Sequence, residues 1–205
     1  MPIDELMKRS DTAMYQAKDE GRNVFQIYDD ALDSRSLERL ALEAQLRGAL
    51  ERQEFTLHYQ PKVDLRLGHI CGAEALLRWH NAALGHVPPA TFIPVAEATG
   101  LIVPIGAWVL REACTQAMAW QRDGLPPLHV AVNVSARQFH DQHLLETLQS
   151  VLAETGLAPQ YLELEITEGM IVHNVDRAIK LLTAIKQLGV RLAIDDFGTG
   201  YSSLG

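Results

Sequence analysis

The stretch that decides the fold is His129-Val130-Ala131-Val132-Asn133-Val134-Ser135. Every second residue is a valine, so the valines share one face of a predicted strand and Asn133 lies on the other. The stretch Leu162-Glu163-Leu164-Glu165-Ile166 repeats this alternation, with two glutamates on one face. Both faces of a doubly wound sheet are buried and usually apolar, whereas polar side chains repeatedly directed to one face suggest strands that line a site. The two stretches therefore favour a βα barrel.

Helical segments follow nearly every predicted strand. Strands are predicted at 55–61, 70–79, 129–135, 161–167 and 191–196. Helices are predicted at about 37–52, 104–122, 142–155 and 174–188, with a short helix around Ala96 after a loop at 80–94. Alternating strands and helices indicate a parallel α/β sheet. The alternative is an antiparallel sheet with one solvent-exposed face, but the helices and the absence of two-residue hairpin turns count against it.

The first 32 residues differ from the rest of the chain. They predict one amphipathic helix at 4–18 and one strand at 23–28. A single helix and a single strand cannot enclose a core, so we expect residues 1–32 to be the end of one domain plus a linker. Residues 33–205 then form the second domain, the α/β one.

Charge and cysteine content exclude several function classes. The formal net charge is −8 over 205 residues, so bulk attraction for nucleic acid is excluded and a phosphate-bearing ligand would need a mediating cation. No apolar run approaches the ~20 residues that span a bilayer, and the N-terminus lacks the features of a signal peptide. Two cysteines without metal-site spacing suit a reduced interior. We expect a cytoplasmic location, although a membrane anchor could lie outside this chain.

Polar side chains fall near the carboxyl ends of successive predicted strands. They are Glu74, Asn133, Glu165, Asp195 and Asp196. In a βα barrel these strand ends converge on one face, where active sites lie. Carboxylate and amide oxygens suit Mg²⁺ or Mn²⁺ rather than zinc, and two such ions bridging a phosphodiester could activate water.

Each of these residues also has a structural interpretation. A single strand-end glutamate can be a solvated rim residue, and Asp195-Asp196 before Gly198 can be an ordinary loop entry. Arg78 can simply pair with Glu74. The four strand ends taken together favour a site. The histidines are scattered, and His58, His80 and His129 are interpreted as structural or surface residues.

Six motifs in a fixed order carry a resemblance to a known family. They are Tyr59-Gln60-Pro61, Ala73-Glu74-Ala75-Leu76-Leu77-Arg78-Trp79, Phe92-Ile93-Pro94-Val95-Ala96-Glu97, Asn133-Val134-Ser135, Glu165-Ile166-Thr167-Glu168 and Asp195-Asp196-Phe197-Gly198-Thr199-Gly200-Tyr201-Ser202-Ser203-Leu204. Together they resemble the Glu-Ala-Leu (EAL) family of cyclic di-GMP phosphodiesterases, from about residue 37 to the end. The resemblance implies a TIM-like βα barrel whose first strand is antiparallel to the others.

The resemblance also implies an activity and a set of residue roles. The reaction is metal-dependent hydrolysis of cyclic di-GMP to linear pGpG in bacterial signalling, with Glu74, Asp195 and Asp196 catalytic. The implied ligands of two Mg²⁺ or Mn²⁺ ions are Glu74, Asn133, Glu165, Asp195 and Asp196. Gln60 and Arg78 would contact cyclic di-GMP. Glu168 would anchor the loop at 197–204, which couples metal binding to homodimer formation.

Residues 11–18 and Gly21-Arg22-Asn23 resemble the C-terminal end of a GGDEF (diguanylate cyclase-type) domain. The substrate-binding half of such a domain is absent, so no cyclase activity is expected from this stretch.

The EAL family continues past the loop at which this chain ends, with three more strands that supply a lysine, a metal-ligating glutamate and a glutamine. By the resemblance the barrel is therefore incomplete, and strand 191–196 would have an unpaired edge. Three hypotheses follow: a piece of an active phosphodiesterase, a catalytically inactive module that binds cyclic di-GMP or a protein, or a non-functional fragment.

Overall fold

The computed structural model describes residues 2–19, 25, 27–28, 30–172 and 174–195. The chain divides into two compact units, Met1–Arg47 and Gly48–Gly205. No helix in the described ranges is both long enough and apolar enough to cross a bilayer.

The first unit contains two helices, α1 (Ile3–Asp19) and α2 (Asp30–Leu46). The helix predicted at 4–18 is confirmed to within one residue at each end. The helix predicted at 37–52 is wrong in position, because α2 begins and ends earlier. Neither glycine nor proline interrupts residues 30–46, and Gly48 has a φ of 77°, the left-handed conformation that stops helices. The predicted strand at 23–28 falls largely outside the described residues.

The second unit is built on a mixed sheet. Its strands are β1 (Phe55–Val63), β2 (Ile70–Asn81), β3 (Gly85–Val87), β4 (His129–Asn133), β5 (Leu162–Thr167) and β6 (Arg191–Asp195). Their order is β1-β2-β4-β5-β6, with β3 paired to β2. Strands β2, β4, β5 and β6 are parallel, whereas β1 is antiparallel to β2. The predicted parallel sheet with an antiparallel first strand is confirmed, and the all-antiparallel alternative is wrong.

Helices connect the parallel strands. They are α3 (Pro89–Thr99), α4 (Ile102–Arg122), α5 (Ala136–Phe139), α6 (Leu144–Thr155), α7 (Glu168–Val172) and α8 (Val175–Gln187). Helix α4 packs on β4 and on α6, and α8 packs on β6. This is the arrangement expected of part of a TIM-like βα barrel, because each right-handed crossover covers the sheet with a helix.

Two strand predictions need correction. The loop predicted at 80–94 is wrong over much of its length, because it holds the end of β2, the strand β3 and the first half of α3. Strand β3 has three residues and is too short to show alternation. The Asn81 side chain accepts hydrogen bonds from the backbone N–H groups of Ala83 and Leu84 and so forms the turn between β2 and β3. Strand β4 ends at Asn133 rather than at 135, because the Ser135 side chain caps α5 in a reciprocal arrangement with Gln138.

An aromatic cluster anchors the N-terminal part of the sheet. Trp79 and Phe92 are fully buried, and Phe55 is nearly so. The ring centroids of Trp79 and Phe92 lie 5.5 Å apart in an edge-on arrangement, and Phe55 is 6.1 Å from each. This cluster joins β1 and β2 to α3, so it fixes the strand pair that carries Gln60, Glu74 and Arg78.

Glu54, the residue before β1, forms a charged hydrogen-bond network with a residue of this cluster. Its carboxylate accepts from the Trp79 indole N–H at 3.0 Å, from the Asn81 amide and from the Arg52 guanidinium. The hydrogen bond from Arg52, followed by those from Trp79 and Asn81, lowers the pKa of Glu54 to about 2 despite an opposing effect of burial.

Replacing Glu54 with glutamine is expected to lower the free energy of unfolding by about 2 kcal/mol at neutral pH, because charge-assisted hydrogen bonds are lost. The folded-state pKa lies below the unfolded value of 4.5, so this stabilisation is present above that value and is lost as pH falls towards 2. Urea unfolding of both proteins should show the difference narrowing below about pH 5. Glu51→Gln, an exposed neighbour, is the control. A difference that stays constant with pH would contradict this account.

Candidate active site

Four polar side chains lie on the same face at one edge of the parallel sheet. Glu74 lies on β2, Asn133 ends β4, Glu165 lies on β5 and Asp195 ends β6. Asn133 and Glu165 are directly paired across β4 and β5. The predicted strand-end position of Glu74 is wrong, because β2 continues to Asn81, but Glu74 lies next to the last residue of β2 that pairs with β4. Side chains from the carboxyl ends of parallel strands thus meet at one edge, where barrel enzymes have their active sites.

A direct contact joins two of these residues. The Asn133 side-chain amide donates a hydrogen bond to Oε1 of Glu74 at 2.7 Å. Glu74 is half-buried and Asn133 is exposed. The amide therefore fixes the Glu74 carboxylate, and the Asn133 amide oxygen accepts no hydrogen bond from the described residues.

Glu165 is the most buried of the predicted site residues that the structure describes, with 8% of its surface exposed. Burial raises the pKa of its carboxyl group, the Lys62 ammonium opposes that shift, and the charges of Glu74 and Asp195 raise the pKa further. The influence of both acids on Glu165 means that the three carboxylates are close enough to repel each other. Oε2 of Glu165 is buried and has no hydrogen-bond partner among the described residues.

Lys62 is a residue that contacts one of the predicted site acids and that the sequence analysis did not single out. Its ammonium, on β1, donates to Oε1 of Glu163 at 2.9 Å and to Oε1 of Glu165 at 2.5 Å. The sequence contains a pattern that could have identified it. Lys62 follows Gln60 by two residues on a strand and therefore shares its face, and Glu163 shares a face with Glu165 for the same reason.

The predicted ligand-contacting residues flank this edge. Gln60 on β1 is exposed and lies directly opposite Glu74 in the strand pairing. The half-buried Arg78 guanidinium donates to the backbone carbonyl of Leu77 at 2.9 Å. No ion pair between Arg78 and Glu74 occurs within the described part of the chain, so the simple pairing considered for Arg78 is not observed. The structure thus places Gln60 opposite Glu74, and Arg78 in the lining of the same cavity as Asn133.

Glu168 begins α7 directly after β5, one residue beyond Thr167. Asp196 and the loop at 197–204 lie outside the described residues, so the roles predicted for them stay predictions.

A cavity of about 330 Å³ adjoins the strand edge. Arg78, Asn133 and Thr167 contribute to its lining, together with apolar residues of α3 and α4. Cavities of this size and mostly apolar lining suit part of a small-molecule ligand. A larger, shallow depression of about 840 Å³ between α3 and α5 contains none of the predicted site residues and is not the candidate site.

The oxygen donors at the strand edge bear on whether a divalent metal fits there. No three His, Cys, Asp or Glu side chains within the described ranges are close enough together to hold an ion. The set still fits Mg²⁺ or Mn²⁺, since all donors are oxygens and the buried Oε2 of Glu165 needs a partner.

The three histidines lie where structural or surface residues are expected. His58 and His80 are exposed, and Nδ1 of His129 lies 3.1 Å from the Cys71 carbonyl oxygen.

Comparisons with known proteins give one matching domain family and several similar proteins. Residues 43–205 match the EAL domain. The chain is 45% identical over 200 residues to the bifunctional diguanylate cyclase/cyclic di-GMP phosphodiesterase MucR of Pseudomonas aeruginosa, covering 98% of this chain and 29% of MucR. It is 41% identical over 199 residues to the cyclic di-GMP phosphodiesterase PdeR of Escherichia coli, covering 97% of this chain and 30% of PdeR.

Among solved structures, the PaMucR phosphodiesterase in complex with c-di-GMP superposes with a TM-score of 0.76 at 45% identity. The match covers 80% of this chain and 66% of that structure, which confirms the barrel-type fold. The chain spans less than a third of the length of MucR and of PdeR.

Proposed function

Because this chain belongs to the EAL domain family, we propose that it is the catalytic domain of a cyclic di-GMP phosphodiesterase that hydrolyses its substrate to linear pGpG. One observation carries the proposal: Glu74, Asn133, Glu165 and Asp195 converge at the carboxyl edge of one sheet. The descriptions of MucR and PdeR as cyclic di-GMP phosphodiesterases, and of PaMucR in complex with c-di-GMP, support the choice of substrate.

We assign two divalent ions, Mg²⁺ or Mn²⁺, to this edge. Glu74, Asn133, Glu165, Asp195 and Asp196 would hold them. When bound, such ions lower the pKa of a coordinated water and neutralise phosphate charge. The net charge of −8 supports this assignment, since an acidic chain needs cations to accept a dianionic ligand.

The reaction adds one water across one phosphodiester bond. The water oxygen bonds to phosphorus, the P–O3′ bond breaks, and a proton reaches the departing 3′ oxygen. The product is thus a linear dinucleotide with a 5′ phosphate. In this scheme Asp195 and Asp196 orient the attacking water. The Asn133 amide keeps the Glu74 carboxylate in place.

Substrate orientation is assigned to residues beside the acids. Gln60, opposite Glu74, offers an amide that can donate to a phosphate oxygen or a base. Arg78 lines the 330 Å³ cavity and supplies a cation for a phosphate. These contacts position the ligand so that the scissile phosphate lies over the carboxylates.

The proposal extends to the surroundings of the site. Residues 1–32 are assigned to the C-terminal end of a GGDEF domain with its linker, and residues 33–205 to the EAL domain. Glu168, at the start of α7, would anchor the loop at 197–204 and link the site to a homodimer contact. A reducing cytoplasm suits Cys71 and Cys114, which form no disulfide.

Calorimetry with cyclic di-GMP, using the protein expressed from its complete gene, tests this function. With Mg²⁺ we expect binding followed by a sustained heat of hydrolysis and the appearance of pGpG on chromatography. With EDTA in place of Mg²⁺ we expect the hydrolysis heat to fall at least about a hundredfold, because the metal chemistry is removed. Binding without turnover under both conditions would favour the inactive binding module instead, and no binding would overturn the assignment of substrate.

A further inference from the structure

Lys62 contacts Glu163 and Glu165 across the inside of the curved sheet. Three strand-to-strand steps, or about 14 Å in a flat sheet, separate β1 from β5. Ion pairs of 2.9 Å and 2.5 Å therefore require the sheet to curve so that β1 faces β5. These contacts belong to the interior of the barrel segment rather than to its solvent-exposed surface.

Small residues leave room for this crossing. Lys62 pairs with Gly72 on β2, and Glu163 pairs with Ala131 on β4. Neither neighbour places a bulky side chain on the shared face, so the lysine chain can extend towards β5. Lys62 is two-thirds buried, and among the described residues its ammonium forms hydrogen bonds to the two glutamates alone.

The two oxygens of Glu165 have different surroundings. Oε1 accepts from the Lys62 ammonium, whereas the buried Oε2 has no hydrogen-bond partner among the described residues. The charges of Glu74 and Asp195 act on the same carboxylate. One side of Glu165 thus faces an internal cation, and the other is left for a ligand that neutralises the acids.

We propose that Lys62 is a built-in counter-ion of the metal site, which occupies Oε1 of Glu165, leaves Oε2 to the metal and lowers metal affinity by its charge. Glu163 is the second anchor, and it draws the ammonium away from Glu165 when an ion binds. This inference rests on the proposed metal site, because it describes how one ligand of that site is shared.

Two cations near one carboxylate repel each other more strongly in a buried site than in water. Removing the ammonium should therefore tighten metal binding. Removing the charge of Glu163 should have the opposite effect, because Lys62 would then pair with Glu165 alone. If Lys62 merely orients Glu165, removing its ammonium should instead weaken metal binding, because loss of an outer-shell partner typically weakens metal affinity by about 10- to 100-fold.

Mn²⁺ titration followed by the electron paramagnetic resonance of free Mn²⁺ separates these possibilities, because it reads binding without turnover. Using the protein expressed from its complete gene, we expect Lys62→Met to lower the Kd for Mn²⁺ at least about fivefold and Glu163→Gln to raise it about threefold. Lys62→Arg keeps the charge and should stay within about twofold. Arg111→Met, which removes an exposed cation paired with Glu154 on the helical layer, is the matched charge control and should also change little.

The outcomes are distinct. Unchanged or weaker Mn²⁺ binding by Lys62→Met would overturn the counter-ion role while leaving the metal site in place. If Lys62→Met does not fold, tighter or unchanged binding by Glu163→Gln overturns the role. Absence of Mn²⁺ binding by the unchanged protein would overturn the metal site itself, and this inference with it.

Discussion

Glu74→Gln is expected to reduce the rate of cyclic di-GMP hydrolysis by at least about a hundredfold. Glutamine has the size of glutamate and can still accept a hydrogen bond from Asn133, so the change removes charge while it preserves shape. The negative charge is what a divalent ion needs at this position. Steady-state kinetics at saturating Mg²⁺ should show the loss in kcat.

Stability measurements separate this effect from misfolding. Glu74 adds to the repulsion that Glu165 experiences, so the metal-free Glu74→Gln protein should melt at the same temperature as the unchanged protein or slightly higher. The control is Glu146→Gln, a side chain on α6 that is 74% exposed, and its activity should be unchanged. Retention of more than about a tenth of the activity by Glu74→Gln would mean that Glu74 is a rim residue.

Trp79→Ala is expected to lower the free energy of unfolding by about 4–5 kcal/mol. Trp79 is fully buried, its ring packs against Phe55 and Phe92, and its indole N–H donates to Glu54. Truncation leaves a large cavity and removes one of the donors to the partly exposed Glu54 carboxylate. Because domains are typically stable by about 5–15 kcal/mol, the variant should be close to unfolding.

Urea unfolding followed by circular dichroism measures this loss. Trp79→Phe keeps a ring in the cluster and should cost only about 1–2 kcal/mol. Trp120→Ala is the matched control, since Trp120 is half-buried and contacts Tyr59 edge-on at 4.9 Å, outside the cluster. A loss below about 2 kcal/mol for Trp79→Ala would show that the cluster does not hold β1 and β2 in place.

The parallel sheet could be predicted because its strands alternate. Val130, Val132 and Leu164 are buried on one face, and Asn133 and Glu165 lie on the other. The order of the strands then follows from the helix between each pair. The short strand β3 and the start of α2 could not be predicted in this way, because three residues show no period and a polar helix shows no apolar face.

The site was predictable only in part. Strand-end position identified Asn133, Glu165 and Asp195, because carboxyl ends of parallel strands share an edge, whereas Glu74 lies in the first half of β2. Lys62 was missed because β1 runs antiparallel and its side chain enters the site from three strands away. Contacts between side chains of non-neighbouring strands depend on the curvature of the sheet. The residue pattern along a single strand does not reveal that curvature.

Mass spectrometry of the product formed in H₂¹⁸O tests the central proposal most directly. The protein expressed from its complete gene is incubated with cyclic di-GMP and Mg²⁺. We predict a linear pGpG that carries one ¹⁸O atom in its 5′ phosphate, since the water oxygen bonds to phosphorus as the P–O3′ bond breaks. Cyclic di-GMP recovered unchanged after prolonged incubation, or a product without ¹⁸O, would contradict the assignment of this domain as a hydrolytic phosphodiesterase.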